Sequence, residues 1–125
     1  MDVLDRSVLE SLREDISGED DGSDLLIDLI LTFIEGIPQA LSDLHQALEK
    51  ANAKMLKEAA HTLKGNSAAL GALHLADLCF DLEKAAKAGT IENAATMVKE
   101  IEAELERVHK AFDQEYLQTA PTDKA

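Results

Sequence analysis

Residues 52–89 read NAKMLKEAAHTLKGNSAALGALHLADLCFDLEKAAKAG, and the spacing of their apolar positions decides the fold. Leu56, Ala59, Ala60, Leu63 and Leu70, with small Ser67 among them, return on one side of a helix. Asn52 is placed to cap that helix and Gly71 to terminate it. Beyond Gly71, the positions Leu75, Leu78, Cys79, Leu82 and Ala86 repeat the helical spacing until Gly89 closes it. The stretch therefore predicts two helices joined by a short turn, and short connections set consecutive helices antiparallel.

The same period runs outward in both directions. Downstream, Thr90 is placed to cap a last helix with the stripe Ile91, Ala94, Val98, Ile101, Leu105, Val108 and Phe112. Upstream, Ile37, Leu41, Leu44 and Leu48 form a seam, and Leu25 to Ile34 is apolar on a wider arc, as in a helix with neighbours on two sides. Pro38 either kinks one long helix or sits in the first turn of another. The acidic, glycine-flanked stretch from Gly18 to Ser23 reads as a loop, with Ser23 as cap of the helix that follows. Before it, Val8, Leu12 and Ile16 mark an N-terminal helix. β-branched residues are sparse and never alternate, which argues against strands. The expected fold is all-α: an up-down antiparallel four-helix bundle with an additional N-terminal helix. Residues 1–116 are expected to form one domain and 117–125 a flexible tail.

Composition narrows the function. The 125 residues hold 12 Lys+Arg and 25 Asp+Glu, a formal net charge of −13. That charge disfavours nucleic acid and anionic membrane surfaces, both of which need a basic face. With no Trp, one Tyr and three Phe, there is little material for base stacking. Asp28 and Glu35 interrupt the longest apolar run, so no bilayer span is expected. The N-terminal residues lack the pattern of a secretory signal. A cytoplasmic, monomeric protein is expected.

Enzyme signatures are missing too. Lys64-Gly65-Asn66-Ser67 has its glycine and lysine in the wrong order for a phosphate-binding loop. His45, His61, His74 and His109 include no i, i+4 pair and no Glu-x-x-His motif. Cys79, the single cysteine, falls on an apolar stripe and reads as a buried structural thiol.

One exposed constellation remains. Relative to the centre of the apolar cluster of its helix, His61 points about 150° away and Gly65 about 170° away, with Lys64 near the edge at about 90°. His61 therefore stands on the solvent face. Gly65, one turn on, costs about 1 kcal/mol of helix stability relative to alanine and clears the space beside the imidazole. Lys64, at i+3, can set an ammonium near whatever the imidazole carries. An exposed imidazole, a clear approach and an adjacent cation suit an anionic group, and phosphoryl fits.

The motifs Ala60-His61-Thr62-Leu63-Lys64-Gly65, Ala68-Ala69-Leu70-Gly71, Leu75-Ala76, Cys79 and Leu82-Glu83, with Phe33 and Ala47-Leu48 upstream, carry a resemblance. Over roughly residues 23 to 112 the sequence resembles the histidine-containing phosphotransfer (HPt) domains of two-component phosphorelays. The resemblance implies that His61 accepts phosphoryl from an aspartyl phosphate on a receiver domain and passes it to another. It implies that Lys64 balances the phosphate charge, that Gly65 keeps the approach open, and that Glu83 hydrogen-bonds and orients the imidazole. Asn66 departs from the family, where Ser or Ala is usual. The implied partners are response-regulator receiver domains and a hybrid sensor histidine kinase. No cofactor or metal is expected on this chain, the Mg²⁺ being the receiver's, and no ATP-dependent self-labelling. Two other readings stand beside it: the phosphoacceptor domain of a chemotaxis-type histidine kinase, and a helical adaptor that is never phosphorylated. Without the resemblance, Glu83 would read as a surface carboxylate paired with Lys87 at i+4.

Overall fold

The computed structural model describes residues 3–16 and 25–117. Among them the helices are α1 (Arg6–Ile16), α2 (Leu25–Glu35), α3 (Ile37–Glu49), α4 (Ala53–Ala69), α5 (Leu73–Lys87) and α6 (Ala94–Phe112), followed by a π-helical turn, Asp113–Leu117. No described residue is in a strand. α3 packs on α4, α4 on α5, α5 on α6, and α6 back on α3, which closes the four-helix bundle; α1 packs on α2. Both the all-α class and the extra N-terminal helix agree with the sequence reading. The Gly18–Ser23 loop, the Ser23 cap and residues 118–125 lie outside the described residues. Leu117, assigned to the tail from sequence, instead belongs to the π-helical turn and packs against the core.

Pro38 combines its two options. α2 and α3 are separated by Gly36 alone, and Pro38 stands in the first turn of α3, where the amide hydrogen it lacks would have had no helical partner. Hydrogen bonds run on across the joint, Gly36 N to Thr32 O at 3.1 Å and Ala40 N to Gly36 O at 3.0 Å. By length and composition alone the joined stretch Leu25–Glu49 is long and apolar enough to cross a bilayer, a test that a core helix of a bundle also passes. Here it is one arm of the bundle, with Leu26, Ile30, Leu44 and Ala47 in the core.

The core follows the helical period. Leu56, Ala60, Leu63 and Ser67 of α4 face Leu75, Cys79, Leu82 and Ala86 of α5 and Val98, Ile101, Leu105, Val108 and Phe112 of α6, all buried. Cys79 is fully buried, and burial, with a small opposing effect from Lys64, pushes its thiol up to about 12. It is a packing residue, as expected. Ser67 is absorbed into the stripe by donating its hydroxyl to Leu63 O at 2.7 Å. Glu104 was not foreseen: it is buried within the α6 stripe and accepts from Arg107 Nε at 2.7 Å. In α1 the inward residue is Leu9, with Leu4 before the helix, while Val8 and Leu12 are only half-buried. The offset arises because the N-terminal segment is pinned across the α4–α5 turn by a bond from Asp5 N to Gly71 O at 2.8 Å.

One device ends three helices in succession. Asn52 N bonds to Ala47 O, Ala72 N to Ser67 O and Thr90 N to Ala85 O, each spanning five residues (2.9–3.0 Å), with the inner bonds Ala51 N–Leu48 O, Gly71 N–Ala68 O and Gly89 N–Ala86 O. These are Schellman turns, whose penultimate residue takes a left-handed backbone. Gly71 (φ 80°) and Gly89 (φ 77°) fill it as expected, but Ala51 (φ 49°) fills it after α3. The Asn52 side chain then caps α4, accepting from Met55 N at 3.0 Å. Thr90 does not cap α6, whose cap position is Asn93. Its amide is used in the Schellman turn and its hydroxyl donates to Ala85 O at 3.2 Å, so Thr90 belongs to the end of α5.

These turns predict an ordered set of stabilities. Ala51→Gly should stabilise the fold by about 0.5–1 kcal/mol by relieving a left-handed alanine. Gly89→Ala should cost about 1 kcal/mol, since an added Cβ there meets nothing within 4 Å. Gly71→Ala should cost clearly more, because its Cβ would lie 2.7 Å from Asp5 O. Urea unfolding of the three variants checks the order.

Candidate functional site

α4 turns its buried stripe inward and presents His61, Thr62, Gly65 and Asn66 to solvent. The His61 side chain is 66% exposed. Position 65 is open as well, for a Cβ built on Gly65 meets nothing within 4 Å. The open face read from the α4 period is therefore present.

α5 supplies the partner. Glu83 lies 22 positions after His61, on the antiparallel neighbour across the Gly71 turn, and its carboxylate is shared between two groups of α4. Oε2 is 2.9 Å from His61 Nδ1, and Oε1 is 2.7 Å from Lys64 Nζ. Oε1 is fully shielded from solvent, so the ammonium is the charge that compensates its burial. Lys64, and after it His61, holds the Glu83 carboxyl below the usual carboxylate range against the opposing effect of burial. A lowered carboxyl is ionised throughout the neutral range, and its contribution disappears only as pH falls through that lowered value.

An ionised carboxylate can only accept, so Nδ1 carries the ring proton and the neutral imidazole keeps its lone pair on Nε2. Among the described residues Nε2 has no hydrogen-bond partner. The site thus offers an outward nucleophilic nitrogen on a ring whose tautomer is set from behind.

The structure brings His61, Lys64 and Glu83 together with Gly65 at the open side. It places Lys64 differently from the sequence reading: its ammonium is engaged by Glu83 and does not stand free beside Nε2. Nor does Glu83 pair with Lys87. An open cleft of about 370 Å³ beside His61 is lined by Lys57, Glu58, Thr62, Glu83 and Lys87. Sequence reasoning passed over Lys57 as a site residue, although it lies one turn before His61 on the same helix and the i−4 spacing was there to be read. Phe80 was passed over too; its ring centroid is 4.9 Å from Lys64 Nζ. Among the described residues no group of three or more His, Cys, Asp or Glu could hold a metal ion.

Comparison with known proteins supplies the family. The pattern of the Hpt domain matches residues 28–111. The solved structure of histidine-containing phosphotransfer protein B from Pseudomonas aeruginosa PAO1 is 34% identical, with a TM-score of 0.81 over 90% of this chain and 93% of that one. The HPT domain of a sensor hybrid histidine kinase from Shewanella shares the fold, with a TM-score of 0.75, 21% identity, and coverage of 94% of this chain and 97% of that one. Multistep phosphorelay regulator 1 of Schizosaccharomyces pombe is 31% identical over 77 residues, 62% of this chain, and the matched region is 25% of that relative's length. A four-helix bundle that sets the exposed His61 against Glu83, matched along most of its length by this pattern, belongs to the Hpt domain family and serves as a histidine-containing phosphotransfer domain in a two-component phosphorelay.

Proposed function

We propose that His61 is the phosphoryl carrier, taking the group from an aspartyl phosphate on one receiver domain and giving it to another. The observation that carries this reading is the 2.9 Å contact of Nδ1 with Glu83, which leaves the Nε2 lone pair directed outward. In the forward step Nε2 attacks phosphorus in line, an N–P bond forms, the P–O bond to the aspartyl carboxylate breaks, and that carboxylate leaves with its electron pair. The ring gains positive charge while Nδ1 keeps its proton, and Glu83 faces that charge. The reverse step uses the same atoms. Lys64 supports the step through Glu83, and Gly65 leaves room for the receiver. Mg²⁺ belongs to the receiver in this scheme, and nucleotide to the upstream kinase; a hybrid sensor kinase and a response regulator in the cytoplasm are the partners it implies.

Transfer from a phosphorylated receiver tests it. His61→Gln should keep the helical circular dichroism and accept no phosphoryl, while His45→Gln should label normally even though His45 Nε2 also meets a carboxylate, Glu102 Oε2 at 2.7 Å. Label persisting on His61→Gln would contradict the assignment. Gly65→Leu should fold at least as stably as the parent, since leucine favours helix over glycine by close to ~1 kcal/mol and the position is open. Its transfer rate should nevertheless fall at least about tenfold, a barrier increase of about 1.4 kcal/mol. Unaltered transfer in folded Gly65→Leu would show that the glycine does not keep the approach clear.

A further inference from the structure

The chain has four aromatic side chains, three Phe and one Tyr. Three of them pack on one another, Phe33 against Phe112 at 6.0 Å between centroids and Phe112 against Tyr116 at 6.3 Å. Phe80 stands apart, 44% exposed on α5, one turn before Glu83. Core packing does not explain a large apolar ring left partly in water. Two cations lie over the ring: Lys64 Nζ is 4.9 Å from its centroid and Lys84 Nζ 4.6 Å.

Both distances fall within the range of cation–π attraction. Lys84 has a second, looser partner in Asp81 at 3.6 Å, with both side chains more than half exposed. Lys64 is the consequential one, because its ammonium also sits 2.7 Å from the shielded Oε1 of Glu83. A lysine is a flexible stem with a compact charge, and a single ion-pair contact leaves it many conformations. The ring gives the ammonium a second point of attachment on the helix that carries Glu83. The contacts run in series, from Phe80 to Lys64, from Lys64 to one oxygen of Glu83, and from the other oxygen to Nδ1 of His61.

We propose that Phe80 is a positioning residue for phosphoryl transfer: its ring holds the Lys64 ammonium on Glu83, and thereby keeps the carboxylate oriented for His61. The role rests on the reading of His61 as the carrier, but its primary readout does not need a phosphoryl group. In the free protein, ¹⁵N NMR of the His61 ring reports how the proton is divided between Nδ1 and Nε2, and the Lys64 Nζ signal reports whether the ammonium is held.

Three proteins decide it: the parent, Phe80→Leu, which keeps apolar bulk but removes the π face, and Phe80→Tyr, which keeps the face. Position 80 is exposed, so both variants should unfold at the parent's temperature. Phe80→Leu should shift the His61 proton from Nδ1 toward a mixture of tautomers, weaken the Lys64 Nζ signal, and slow transfer about two- to fivefold, the effect of a surface cation–π contact. Phe80→Tyr should restore all three. Parent-like His61 and Lys64 signals in Phe80→Leu would overturn the proposal; if transfer were slowed all the same, the ring would be a contact for the partner instead. A tyrosine variant as impaired as leucine would also overturn it, since the π face would then not be the operative feature. If His61 were not the carrier, transfer would be insensitive in every variant while the ring signals still responded, so the two failures are separable.

Discussion

A carboxylate placed between two helices needs compensation on both oxygens, and Glu83 obtains it entirely from α4. Lys64 takes one oxygen at 2.7 Å and His61 the other at 2.9 Å. Removing a carboxylate from water is costly unless charge and hydrogen bonds are returned to it. The ammonium returns the charge and the imidazole Nδ1–H the hydrogen bond. The consequence for chemistry is indirect but strong. With the anion fixed, the imidazole has one favourable tautomer, and the nitrogen with the lone pair is the one facing solvent.

That arrangement depends on the register of α4 against α5, which the turn between them sets. Gly71 closes α4 in a Schellman turn, accepts a bond from Asp5 N, and leaves no room for a side chain. The N-terminal segment, through Leu4 and Leu9, thus braces the turn at the end of the hairpin. Leu63, Cys79 and Leu82 fill the space between the helices close to the site residues. A carrier of this kind needs little machinery beyond placement, because the in-line transfer of phosphoryl depends on positioning and electrostatics more than on additional reactive groups.

Much of this was readable in the chain, for physical reasons that can be stated. The α4 stripe is strictly periodic, so the outward direction of His61 and Gly65 followed from angle alone. Asn52, Gly71 and Gly89 are residues whose local chemistry fixes a helix end, and each acts as read. Thr90 misled because its chemistry suits either side of a turn; the preceding left-handed glycine committed its amide to α5. Leu9 was missed because the N-terminal helix takes its inward face from a long-range bond to Gly71, which no local period encodes. Glu83 as partner of His61 came from resemblance to a family, and the engagement of Lys64 with it came from neither period nor resemblance. Pairing across helices depends on register, and the sequence carries register only through packing.

In this arrangement Glu83 should reserve Nδ1 and leave Nε2 to react. This is tested most directly by locating the phosphorus on the ring after transfer from a phosphorylated receiver, using ³¹P–¹⁵N couplings in protein labelled with ¹⁵N-histidine. The expected result is a single N–P bond, at Nε2 of His61. A bond at Nδ1 would contradict it, because that nitrogen could carry phosphorus only by giving up the carboxylate on which the site is built.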